Sequence, residues 1–90
     1  MFYGNLHRPK RDYEINEARN RLYRSIEGTI ERYNEDINKT KDYERKDKLR
    51  SVVKDLEDIL DEVGNDTIQM SDRDVEIARN KYHEILRKNW

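Results

Sequence analysis

Ninety residues, a formal net charge of −1 and no cysteine point to one small domain, without a disulfide framework, zinc–thiolate site or thiol nucleophile. Leu, Ile, Val and Phe together supply 19 of the 90 residues, near the level at which chains stop folding, so any core must be built economically. Charged residues make up 43% of the chain, and no stretch approaches the ~20 apolar residues of a membrane span or the apolar run of a signal peptide. The expectation is a soluble, cytoplasmic protein made of helices with solvated outer faces.

Residues 1–9 read as an N-terminal arm and residues 10–90 as a single helical domain. Phe2, Tyr3 and Leu6 are apolar, Gly4 and Pro9 interrupt regular structure, and His7, Arg8, Lys10 and Arg11 bring positive charge. Such an arm suits loose packing on the domain, or contact with nucleic acid or an acidic protein patch.

A first helix begins near Pro9–Asp12, since proline is tolerated in the opening turn, and runs to about Ile37. Its inward residues are Ile15, Ala18, Leu22, Ile26, Ile30, Tyr33 and Ile37, a period of about 3.67 that favours a nearly straight helix. Gly28 interrupts it at a cost of ~1 kcal/mol relative to Ala and points away from the apolar stripe. It marks either a close approach by another group or a neutral surface position. Arg19 projects beside the stripe and needs a carboxylate partner or an exit to water.

The periodic pattern lapses between Ile37 and Leu49. Asn38 is a candidate left-handed terminator and Thr40 or Asp42 the next N-cap, which implies a short antiparallel connection; one continuous helix is the alternative. The strongest signal follows in LRSVVKDLEDILDEV, where apolar residues fall at 49, 52, 53, 56, 59, 60 and 63. That a, d, e stripe is broad enough to touch two neighbouring helices. Gly64 is the expected C-terminal stop. Ser71 with Asp74 three residues later forms a variant capping box, flanked by Met70 and Val75 as a hydrophobic staple. The third helix, Asp72 to about Lys88, faces inward with Val75, Ala78, Tyr82, Ile85 and Leu86, and leaves Ile77 about 140° from that face. The fold expected is all-α: a three-helix up-down-up bundle, with two long helices forming an antiparallel hairpin and one shorter C-terminal helix.

Charge is segregated along the chain. Residues 1–54 carry a net +4, residues 55–76 a net −8 and residues 77–90 a net +3. In the second helix the basic residues lie near the N-terminus and the acids near the C-terminus, so each opposes the macrodipole by ~0.3–1 kcal/mol. An antiparallel first helix would relieve this by setting its arginines beside Asp55–Glu62. The functional alternative is an acidic end, comprising Asp58, Asp61, Glu62, Asp66 and Asp72, that docks on a basic protein surface.

Catalysis finds no support in the motifs. His7 and His83 are far apart in sequence, and in a chain with 20 acids carboxylates at i, i+4 spacing carry no signal. No metal site or cofactor motif is present, and an enzyme is not expected. The reading favoured is a non-catalytic protein-binding module: a small regulator, adaptor or inhibitor with a composition in the style of phage or mobile-element proteins. The alternative is a helical nucleic-acid-binding protein using Arg8, Lys10 and Arg11 of the arm with Arg79, Arg87 and Lys88 of the last helix. Near-zero whole-chain charge and the acidic first turn of that helix weigh against it. Phe2, Tyr3, Ile77 and Trp90 are apolar groups that a monomer does not need, which suits a foreign partner or a symmetric homodimer.

Overall fold

A computed structural model of the protein describes residues 12–88. Three helices account for most of them: α1 (Asp12–Lys39), α2 (Tyr43–Gly64) and α3 (Asp72–Lys88). α1 packs chiefly against α2, and α3 lies against both. Arg19, early in α1, reaches the last turn of α2 at Val63, so the first two helices are antiparallel. Tyr82 of α3 meets Ser25 and Thr29 of α1, and Arg79 lines a depression with Glu14, Glu17 and Arg21, so α3 runs parallel to α1. This is the up-down-up bundle that the apolar periodicity implies, and one continuous helix across residues 37–49 is excluded.

α2 holds the centre because its stripe is the widest. Val52, Val53, Leu56, Ile59 and Val63 are buried, against Leu22, Ile26 and Ile30 of α1 and Val75, Ala78 and Tyr82 of α3. Leu56 and Ile26 are fully buried, each worth ~1.5–3 kcal/mol of transfer free energy. The arm and Trp90 lie outside the described residues.

The helix ends follow local chemistry. Asp42 caps α2, its carboxylate accepting from the amides of Glu44 at 3.0 Å and Arg45 at 3.5 Å. α2 therefore begins six residues before the apolar pattern does, because a cap needs only its own side chain and the following amides. The Ser71–Asp74 box closes as expected. The Asp74 amide donates to the Ser71 hydroxyl at 3.2 Å, and the Ser71 amide to the Asp74 carboxylate at 3.0 Å. Met70 and Val75 are both buried in the core.

One expectation about helix ends is corrected: Asn38 is not a left-handed terminator, since no described residue has positive φ and α1 continues through Lys39. α2 stops at Gly64 as expected, without left-handed backbone there. Glycine leaves room there for a neighbouring ring. A Cβ at Gly64 would lie 2.5 Å from Cε2 of Tyr23, whose ring crosses the end of α2.

Candidate functional site

Arg19 organises the end of the bundle that carries the acidic loop. Its guanidinium donates to three main-chain carbonyls: Val63, Asn65 at 2.6 Å and Ile68 at 2.9 Å. Its partners are main-chain carbonyls, where a carboxylate was one of the expected alternatives. A cation at the C-terminal carbonyls of α2 also offsets part of that helix's unfavourable charge order. Beyond Gly64 the chain turns on itself, with the Asn65 side chain accepting from the Thr67 amide at 3.0 Å and the Thr67 hydroxyl at 2.6 Å. Arg19 and this Asx turn together hold Asp66 at the rim of a polar depression of about 480 Å³ lined by Asn16, Asn20, Tyr23 and Gly64.

The acidic end is spread over several surfaces. Asp58 and Glu62 line a groove between α2 and α3, with Asp55 of the same helix and Lys81, Glu84 and Lys88 opposite. Asp61 is exposed outside that groove, and Asp66 is exposed on the side facing α1. Asp72 is half-buried at the start of α3. What unites Asp55, Glu57, Asp58, Asp61 and Glu62 is exposure on the C-terminal half of α2.

Pairing of charges across the hairpin is not what the structure contains. Among the described residues the ion pairs Arg21–Glu17 at 3.0 Å and Arg79–Glu76 at 3.6 Å each lie within one helix, and none joins α1 to α2. The titration of Asp74 is displaced downward. Hydrogen bonds from the Ser71 amide and hydroxyl hold it below the ordinary value of 3.8, which serves the cap.

The basic residues named for nucleic acid divide in the same way. Arg79 faces α1, beside Arg21, while Lys88 faces α2 and its acids. They occupy opposite flanks of α3 and cannot act as one face with Arg87. Arg8, Lys10 and Arg11 lie outside the described residues, as do Phe2, Tyr3 and Trp90. Ile77 is 43% exposed, on the outer ridge of α3.

Sequence reasoning passed over a polar contact at the α1–α3 seam. The Thr29 hydroxyl donates to the Ser25 carbonyl at 2.9 Å and meets the buried Tyr82 hydroxyl at 2.6 Å. Arg32 donates to the same Thr29 oxygen at 3.2 Å. Tyr82 falls on the inward period of α3, but nothing in the pattern marks Thr29 as its partner.

The described residues contain no group of three or more His, Asp or Glu side chains placed to hold a metal ion, and no helix among them is long and apolar enough to cross a membrane. Comparison with protein-family models, with curated proteins and with solved structures finds no match.

Proposed function

We propose that this bundle is a non-catalytic protein-binding module, a small regulator, adaptor or inhibitor, that docks the acidic C-terminal half of α2 and the following loop on a basic protein surface. The observation that carries the reading is the exposed run Asp55, Glu57, Asp58, Asp61 and Glu62, which makes no ion pair with α1. These carboxylates crowd the C-terminal half of a helix whose last turn holds no basic residue. Each weakens the helix by a few tenths of a kcal/mol or more, and Arg19 relieves that only at the terminus. A partner's lysines and arginines would turn the cost into complementarity, chiefly as association rate and specificity.

Capture from the source cell tests this. The intact chain should retain a protein with a basic surface, and the double reversal Asp58→Lys with Asp61→Lys should weaken retention at least tenfold while leaving the bundle folded. A partner bound equally well by the reversed protein would refute the acidic-face reading. A symmetric homodimer is the competing use of the exposed apolar groups, and light scattering separates the two. A mass of 11.0 kDa at every concentration assigns those groups to a foreign partner, and twice that mass assigns them to a second copy.

A further inference from the structure

The α1–α3 seam carries a feature of opposite sign to the α2 acids. On α1, Arg24, Gly28 and Arg32 stand in one row at i, i+4 and i+8, with Arg21 and Ser25 in the adjacent row toward α3. α3 is seated beside these rows by the Tyr82 hydroxyl on Ser25 and Thr29. Its own Arg79 faces α1 beside Arg21, and the exposed His83 and Arg87 follow it at four-residue steps along the helix. The His83 ring lies 5.4 Å from that of Tyr82. At the near end of the seam, Glu17 and Glu76 hold Arg21 and Arg79 in place, and Glu14 lies beside them. Arg24, Arg32 and Arg87 have no carboxylate partner among the described residues.

Gly28 sits in the middle of this seam without a reason inside the fold. A Cβ there would meet nothing within 4 Å, so no internal contact demands glycine, yet a mid-helix glycine costs ~1 kcal/mol. An external group that must come close to the helix backbone between two guanidinium groups would account for it.

We infer that the α1–α3 seam is a binding surface for the phosphate backbone of nucleic acid, with Arg24, Arg32 and Arg87 as the phosphate contacts and Gly28 as the point of closest approach. The seam differs in composition from the arm-plus-last-helix surface that the sequence suggests, and the inference stands independently of the protein-binding reading. A phosphate backbone fits better than an acidic protein because, among the described residues, the arginines of the seam have no exposed large apolar side chain beside them. The exposed large apolar residues among those described are Tyr13, Tyr43, Ile68 and Ile77, away from Arg24, Arg32 and Arg87, whereas protein interfaces are built around buried aromatic or aliphatic side chains. Arginine on phosphate needs no such core. Contacts of this kind position a protein without reading base sequence.

Fluorescence anisotropy of the whole chain with a labelled duplex of about 20 bp and mixed sequence tests the inference. Binding should be present at ~50 mM salt and fall steeply by ~200 mM, with a log–log slope near −3 for three phosphates. Arg24→Glu with Arg87→Glu, both exposed and free of hydrogen bonds among the described residues, should lower affinity at least tenfold with an unchanged circular dichroism spectrum. Gly28→Gln should raise the melting temperature and yet weaken binding, a combination that a purely structural glycine would not give. Asp58→Lys, in the groove between α2 and α3, should not weaken it. Absence of binding at ~50 mM salt would overturn the proposal. So would equal affinity of the arginine variants, or polyglutamate binding as tightly as the duplex.

Discussion

Two glycines and one leucine show how far single positions decide this molecule. Gly28 and Gly64 are the same residue type in helical backbone, but their surroundings differ. Nothing lies within 4 Å of a Cβ at Gly28, while the ring of Tyr23 occupies that space at Gly64. Gly28→Ala should therefore stabilise the protein by up to ~1 kcal/mol through helix propensity. Gly64→Ala should gain less than Gly28→Ala, because the Tyr23 ring must shift to admit the new Cβ. Urea denaturation of both variants checks the difference. Leu56 is fully buried at the middle of the α2 stripe. Leu56→Ala should cost ~2–5 kcal/mol, a large share of what a 90-residue domain commands, and an unchanged melting curve would refute the packing described.

At the scale of elements, the starts of α2 and α3 are set by capping side chains, and the end of α2 meets Arg19 and Tyr23 of α1. Asp42 and the Ser71–Asp74 box are local, and both were legible because a cap and its amides lie within three residues of one another. The stop of α2 at Gly64 was legible too, but the surroundings of that glycine were not: Gly64 suits a left-handed stop and a close approach equally well, and only the position of Tyr23 on the neighbouring helix separates them. Arg19 was hidden for a related reason: its acceptors are main-chain carbonyls, which every residue carries, so no side-chain pattern announces them. The capping box makes its own prediction. The Asp74 carboxyl is held below its ordinary value in the folded state, so its charged form stabilises the fold. That contribution is complete above the ordinary pKa of 3.8 and is lost as pH falls through the lower, folded value. The stability difference between the native chain and Asp74→Ala should be larger at pH about 6 than at pH about 2.5, as measured by thermal unfolding. A difference independent of pH would contradict the cap geometry.

Across the described residues, exposed acids crowd the C-terminal half of α2, while arginines, two of them paired with glutamates, gather at the α1–α3 seam. The three-helix architecture was legible because the Leu49–Val63 stripe is wide enough to demand two neighbours. The grouping of charges was less so. Asp58 and Asp66 are eight residues apart on the chain but face different helices, and Arg79 and Lys88 flank α3 on opposite sides. Which flank a residue joins depends on where the neighbouring helix packs, and linear charge runs do not contain that. The row Arg24–Gly28–Arg32 did carry a readable signal at i, i+4 spacing, but its meaning required α3 to be seated beside it. The central claim is that the exposed carboxylates of α2 are a docking surface. Carboxyl-labelling footprinting, read by mass spectrometry on the free chain and on its complex with the captured partner, tests that most directly. Labelling of Asp55, Asp58, Asp61 and Glu62 should fall several-fold in the complex while that of Glu31 and Glu35 on α1 stays constant. Undiminished labelling of the α2 carboxylates in a formed complex would contradict the claim.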